Sequence, residues 1–192
     1  MLTQEENQFM SRVGPGTPAG ELLRRYWHEV AAAGELHTNA KKRVRVLGED
    51  LLLYRNPAGE YGLMRERCSH RGASLYYGFI EDDGIRCPYH GWKYDACGRC
   101  IEQPFENPEA GFKDKIQHPA YPVVKKGGLL FAYLGPPDKK PVLPQWDILV
   151  RQDGAKSVDV CEVLRCNWLQ AMENSVDPTH TYYLHSHTLR LK

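Results

Sequence analysis

No stretch of this sequence approaches the roughly 18 consecutive apolar residues that a membrane-spanning helix needs, so a helical membrane protein is not expected. Charge of one sign is not in excess either. The 25 basic and 24 acidic residues leave a formal net charge of +1, with no global pull toward nucleic acid or an anionic membrane. The opening Met1-Leu2-Thr3-Gln4-Glu5-Glu6-Asn7 is acidic and lacks the basic and apolar regions of a secretion signal. A reducing cytoplasm is the expected location, and disulfides are then the wrong use for six cysteines. Metal binding or thiol chemistry ranks higher. Repeats and low-complexity tracts are missing as well. A length of 192 residues at 42% hydrophobic content suits one good core, or a small domain with part of a second.

What is present falls into segments. From Thr17 to Ala33 the spacing of Leu22, Leu23, Tyr26 and Val30 predicts a packing helix, with Pro18 in its first turn and Gly34 placed to stop it. From Val44 to about Leu134 short strand-like runs alternate with turns, among them Leu51-Leu52-Leu53-Tyr54 and Leu129-Leu130-Phe131-Ala132-Tyr133. That rhythm predicts a small antiparallel barrel or sandwich. Lys41-Lys42-Arg43 reads as a solvated strand entrance. Pro136, Pro137, Pro141 and Pro144 punctuate a linker, a strand is expected over Ser157–Val163, and a helical segment around Trp168 to Tyr183 follows. The expected division is 1–37 as an N-terminal helical segment, 38–145 as a cofactor-bearing β domain and 146–192 as the beginning of a second domain.

Two short loops carry the chemistry: Cys68-Ser69-His70-Arg71-Gly72 and Cys87-Pro88-Tyr89-His90-Gly91-Trp92. Each supplies one sulfur and one nitrogen ligand, whereas a two-Cys, two-His zinc finger takes both cysteines from its first knuckle. Such mixed ligation suits a two-iron cluster, with thiolates on one iron and imidazoles on the other. Two ferric ions, two sulfides and two thiolates sum to no net charge, whereas four thiolates would leave a dianion. The less negative cluster takes up an electron more readily, at about −150 to +300 mV against about −400 mV. Gly72, Gly91 and Pro88 fit backbone that must pass close to a cluster. Cys97-Gly98-Arg99-Cys100 has the spacing of a redox pair or zinc half-site, yet no second pair matches it, and it reads as a hairpin with incidental thiols. Cys161 and Cys166 read as packing residues.

These two loops, extended through Ala73-Ser74-Leu75 and Lys93-Tyr94-Asp95, resemble the Rieske family, and more narrowly the ring-hydroxylating oxygenases. Respiratory Rieske proteins resemble the pattern too, but they carry a further cysteine in each loop, where this chain has Ala73 and Tyr89. The resemblance implies a [2Fe–2S] cluster held by Cys68, His70, Cys87 and His90.

The final segment runs Asn167-Trp168-Leu169-Gln170-Ala171-Met172-Glu173-Asn174-Ser175-Val176-Asp177-Pro178-Thr179-His180-Thr181-Tyr182-Tyr183-Leu184-His185. In a straight α-helix His180 and His185 would point about 140° apart, so for both to reach one ion the helix must bend, end or carry a bulge. Geometry alone leaves the pair open between ligands and a satisfied surface pair. Asp177, three residues before His180, can accept the ring N–H that a metal-bound imidazole leaves free. The segment is similar to the iron-binding helix of Rieske oxygenases. That resemblance assigns His180 and His185 to a mononuclear Fe(II) and makes Asp177 a bridge, not a ligand, carrying electrons from the cluster of a neighbouring subunit. It leaves His187 as a bystander.

The implied whole is a mainly β Rieske domain with an N-terminal helix, followed by the first strand and iron-binding helix of an α+β, helix-grip-like catalytic domain. Its implied activity is oxygenase chemistry: electrons pass through the cluster to iron that activates O₂ to hydroxylate, dihydroxylate or oxidatively demethylate a small aromatic substrate. The third, carboxylate ligand of that iron lies further downstream in the family than Lys192, so the chain is expected to be a truncated oxygenase component. Val13-Gly14-Pro15-Gly16-Thr17-Pro18 and Glu21-Leu22-Leu23-Arg24-Arg25-Tyr26-Trp27 resemble the phthalate-dioxygenase-type group. Its members imply a homo-oligomer, commonly a trimer, fed by a separate flavin and iron–sulfur reductase that draws on NADH. The alternatives are a Rieske ferredoxin-type carrier with no substrate of its own, which would end soon after the barrel, and a zinc-stapled interaction module.

Overall fold

The computed structural model describes residues 2–160 and 163–186. Along the chain run α1 (Gln4–Ser11), α2 (Pro18–Leu23), β1 (Trp27–Ala32), α3 (Glu35–Thr38), β2 (Lys41–Val46), β3 (Glu49–Arg55) and β4 (Tyr61–Arg65). Next come β5 (Phe79–Glu81), β6 (Gly84–Arg86), β7 (Lys93–Tyr94), β8 (Cys100–Glu102), β9 (Ala120–Tyr121), β10 (Val123–Lys126) and β11 (Leu129–Tyr133). The short helices α4 (Asp147–Val150), α5 (Trp168–Val176) and α6 (Pro178–His180) follow, and a π-helical turn, Thr181–His185, closes the described chain. The strands form three antiparallel sheets, ordered β1-β11-β10, β2-β3-β4-β9 and β5-β6-β7-β8. The protein is thus mainly antiparallel β with helix at its N-terminus, as expected. Among the described residues no helix is long and apolar enough to cross a membrane.

The helix expected over Thr17–Ala33 ends early. Thr17 caps α2 by accepting the Gly20 N–H, Pro18 opens it, and after Leu23 the chain turns and extends as β1. The deciding interactions are not local: β1 pairs with β11 from Trp27↔Tyr133 to Ala32↔Leu129. A bulge between Glu29 and Ala31 breaks the period-two alternation that would have marked a strand. The strand expected over Ser157–Val163 also differs. Ser157–Val160 and Val163 are irregular, Cys161 and Glu162 lie outside the described residues, and no strand among the described residues pairs with this segment to satisfy its backbone groups.

β3 is the wall that organises the molecule. Its run Leu51-Leu52-Leu53-Tyr54 is buried throughout, because successive side chains serve opposite faces. Leu51 and Leu53 join Leu36, Leu63, Leu130 and Ala132 in one core. Leu52 and Tyr54 join Met64, Leu75, Ile85, Trp92, Tyr94 and the sulfurs of Cys68, Cys87 and Cys100 in another. Burying each large apolar side chain contributes on the order of 1.5–3 kcal/mol. The second core is therefore both the stabilising centre of the β5–β8 sheet and the floor beneath the two cysteine–histidine loops. Further along, the Trp168 indole donates to the Ser11 carbonyl at 3.0 Å, tying α5 to the end of α1.

Candidate metal centres

Both ligand loops leave the ends of strands and fold by one backbone rule. In the first, the Cys68 N–H donates to the Ala73 carbonyl at 2.9 Å and the Gly72 N–H returns to the Cys68 carbonyl at 2.9 Å. In the second, the Cys87 N–H donates to the Trp92 carbonyl at 2.8 Å and the Gly91 N–H to the Cys87 carbonyl at 3.1 Å. Each turn closes through a left-handed residue, Gly72 at φ +70° and Gly91 at φ +73°, a conformation that costs a side-chain-bearing residue about 1–2 kcal/mol. The residue before each cysteine braces its own loop. Arg67 Nη1 reaches the Gly72 carbonyl at 3.3 Å, and Arg86 Nη1 reaches the Gly91 carbonyl at 3.0 Å.

The turns aim backbone N–H groups at sulfur: His70 and Arg71 donate to Cys68, and Tyr89 and His90 donate to Cys87. The two sulfurs lie against each other and share a hydrogen bond. That contact is the main cause lowering the Cys68 thiol, with the Tyr94 hydroxyl, 3.1 Å from its Sγ, and the loop N–H groups assisting. The same contact pushes Cys87 upward, since two adjacent thiolates repel. A metal ion between them would remove that repulsion. Tyr94, fully buried, is itself raised, first by burial and then by its bond to Cys68.

The imidazoles of His70 and His90 meet at 4.6 Å between centroids and 61° between planes. Trp92 stacks on His70 at 4.4 Å and 5°, and Tyr89 tilts against His90 at 3.9 Å and 42°. His70 Nδ1 is buried and has no hydrogen-bond partner, an arrangement that costs about 1–3 kcal/mol unless something coordinates it. The four candidate ligands therefore sort into a sulfur pair and a nitrogen pair, which fits a group of two metal atoms with one pair on each. No three His, Cys, Asp or Glu side chains among the described residues converge as a single-ion cage.

The other cysteines stay apart from this set. Cys97 is exposed and Cys100 buried, neither is in a disulfide, and burial raises Cys100 to about 11. Their hairpin turns at Gly98, φ +82°, with Asp95 Oδ1 accepting the N–H groups of Cys97 and Arg99. Cys166, expected to pack, is exposed, and the strand expected just before it does not form; Cys161 lies outside the described residues.

At the second candidate centre, the five-residue spacing of His180 and His185 is absorbed by the π-helical turn Thr181–His185. An i→i+5 turn brings residues five apart back to one side, and the two rings lie 5.4 Å apart at 71°. Asp177 caps α6, its Oδ1 accepting the Thr179 N–H at 2.7 Å, which lowers its carboxyl. Its Oδ2 stands 3.5 Å from His180 Nδ1, close enough for attraction but too long for a firm hydrogen bond, so that buried nitrogen is unsatisfied. His187 lies outside the described residues.

Sequence reasoning missed Arg67, Arg86 and His118, and it quoted Trp92 and Tyr94 without giving them roles. The period-two spacing of Trp92 and Tyr94, just before and within β7, was the available sign that both side chains enter the core beneath the loops. His118 offered none.

A two-loop Cys–His, Cys–His site over an antiparallel β floor defines an iron–sulfur domain class, and comparison identifies which. The model of the Rieske [2Fe–2S] domain matches residues 26–125, and this chain belongs to that family. Among its relatives, the 5,5'-dehydrodivanillate O-demethylase oxygenase subunit of Sphingobium sp. is 51% identical over 189 residues, 97% of this chain and 44% of the relative. The phthalate 4,5-dioxygenase oxygenase subunit of Pseudomonas putida is 39% identical over 192 residues, 97% of this chain and 43% of the relative. The chain thus spans less than half the length of these relatives. Among solved structures, dicamba monooxygenase aligns with a TM-score of 0.55 at 27% identity, covering 64% of this chain and 38% of that one.

Proposed function

We propose that this chain carries the cluster and the first iron ligands of an oxygenase component in a Rieske non-haem iron system. In this reading Cys68, His70, Cys87 and His90 hold a [2Fe–2S] cluster, and His180 and His185 hold a mononuclear iron(II). The observation that carries it is the sorting of four side chains from two loops into a sulfur pair and an imidazole pair, with His70 Nδ1 left without a partner. When bound, the cluster supplies one-electron transfer and the mononuclear iron supplies O₂ activation.

The chain's own residues prepare for this. Trp92 covers one face of His70, while Tyr94 and four loop N–H groups stabilise negative charge on the sulfurs. His70 and His90 are only half-buried, so their outer edges offer an exit toward a partner. Asp177, beside His180 Nδ1, orients that imidazole and links it to a cluster histidine of a neighbouring subunit in a homo-oligomer, commonly a trimer. The partner delivering electrons is a flavin and iron–sulfur reductase using NADH, the substrate is a small aromatic compound, and the setting is the cytoplasm. The names of the relatives, a demethylase and a dioxygenase subunit, support oxidation of an aromatic ring or its O-methyl group.

Iron and acid-labile sulfide assays with electron paramagnetic resonance test the reading. The expected protein is brown, holds about two irons and two sulfides in the loops, and loses a further iron in His180→Ala with the cluster signal intact. A colourless protein that takes up zinc alone overturns it. Full iron retention in His180→Ala would instead favour the electron-carrier reading. Asp177→Asn should keep both metals and slow reoxidation of the reduced cluster by O₂ in the presence of substrate.

A further inference from the structure

His118 belongs to neither candidate ligand set, yet it is fully buried and bonded at both ring nitrogens. Nε2 lies 2.8 Å from the Arg65 carbonyl, which can only accept, so Nε2 carries the proton. Nδ1 must then accept, and the Ser69 hydroxyl donates to it at 2.8 Å. Ser69 is the residue between Cys68 and His70. The His118 ring also lies 4.6 Å from that of Tyr94, tilted by 30°, and the Tyr94 hydroxyl is the group bonded to Cys68 Sγ. One neutral imidazole thus touches both the loop that follows Cys68 and the phenol that bonds its sulfur. Burial pushes its protonation downward and keeps it neutral.

The backbone of His118 is held from behind. Its amide N–H donates to the Gly98 carbonyl at 2.7 Å, and a side chain at Gly98 would collide with the His118 carbonyl oxygen. The Cys97-Gly98-Arg99-Cys100 hairpin therefore seats His118 through its glycine, with no part required of its thiols. β4 supplies the opposite anchor through Arg65.

We infer that His118 is a positioning residue for the cluster: it fixes Ser69 and Tyr94 so that the N–H and O–H donors stay on Cys68 sulfur, and thereby raises the reduction potential. Donors to a ligand sulfur stabilise the more negative, reduced cluster, so loosening them lowers the potential. The inference rests on the loops holding the Rieske cluster.

Redox titration at one fixed pH, followed by electron paramagnetic resonance, tests it. His118→Leu removes both side-chain bonds and should lower the reduction equilibrium constant about tenfold, equivalent to about 59 mV for one electron. His118→Gln, whose amide can donate to Arg65 and accept from Ser69, should stay within about twofold of wild type. Ser69→Ala should fall between them, and combining it with His118→Leu should add little, because both act through one contact. A His118→Leu protein with full iron and sulfide and the wild-type potential overturns the inference. If that variant does not fold, Ser69→Ala at the wild-type potential does so. Wild-type protein lacking iron and sulfide would overturn the cluster reading itself, a different failure visible before any potential is measured.

Discussion

The two ligand loops share a turn and differ in what stands behind it. Both close a Cys-to-Gly ring with the same pair of backbone bonds, both pass through a left-handed glycine, and both use the arginine before the cysteine to hold the glycine carbonyl. Behind the Cys68 loop stands an uncharged relay from Ser69 through the buried His118 to the Arg65 carbonyl, with Arg67 only lightly attached. Behind the Cys87 loop stands a charged lattice. Arg86 bonds Glu81 at 2.5 Å and Glu102 at 2.7 Å, and the buried Lys93 meets Glu81 at 2.8 Å and Asp83 at 2.5 Å. The lesson is that one turn geometry can be secured by neutral hydrogen bonds through one buried imidazole or by a lattice of ion pairs. The two kinds of support answer to different perturbations.

The largest expected effect should not distinguish the loops. Cys68→Ser and Cys87→Ser should each abolish the cluster, measured as loss of sulfide and visible absorbance, and retention in either would break the equivalence of the pair. Glycine replacement should separate them. Gly72→Ala meets only the left-handed penalty, about 1 kcal/mol, since no atom lies within 4 Å of the added carbon. Gly91→Ala adds contact with Pro104 Cγ at 3.0 Å, for about 2–3 kcal/mol in urea unfolding. Arginine replacement should follow the same asymmetry at smaller scale. Arg86→Met should cost about 1–2 kcal/mol, an effect that shrinks in molar salt, whereas Arg67→Met should stay within about 0.5 kcal/mol.

The smallest effect should be the pH response of the metal-free chain, and it should come in two windows. Burial lowers His118, so below the unfolded value of about 6.5 the unfolded chain takes up its proton first and stability declines. Arg86, and then Lys93, lower Glu81 to about 2, a contribution present above about 4.3 and lost as the pH falls through 2. His118→Gln should flatten the first window and Glu81→Gln the second. A variant that flattens the other loop's window would show that the supports are not separate.

Much of this was legible before the fold was known, and the exceptions have physical causes. The ligand loops announce themselves because metal chemistry demands particular residues at short spacing. The unbroken Leu51–Tyr54 run marks a strand buried on both faces. β1 reads as the end of a helix because Leu22, Leu23, Tyr26 and Val30 fall at helical spacing by coincidence. The bonds that decide β1 come from β11, a hundred residues away in sequence, and a bulge hides the alternation. His118 was invisible because a lone histidine carries no spacing, and its meaning lies in Arg65, Ser69, Tyr94 and Gly98, all distant from it in the sequence. At the second centre the need for a bend, an end or a bulge was legible, but which of the three was not.

That bulge has a consequence for ancestry and for engineering. A π turn is an α-helix that has absorbed one surplus residue, so Thr181–His185 has the form of a single-residue insertion kept within a helix. Deleting Tyr182 or Tyr183 would restore the ordinary four-residue histidine pair of a straight helix. Because the wide turn already takes up the surplus residue, the edit would leave the two histidines facing one side, four residues apart instead of five. The extra residue is thus carried without a change of phase: it widens one turn between the histidines and leaves the direction in which they point unaltered.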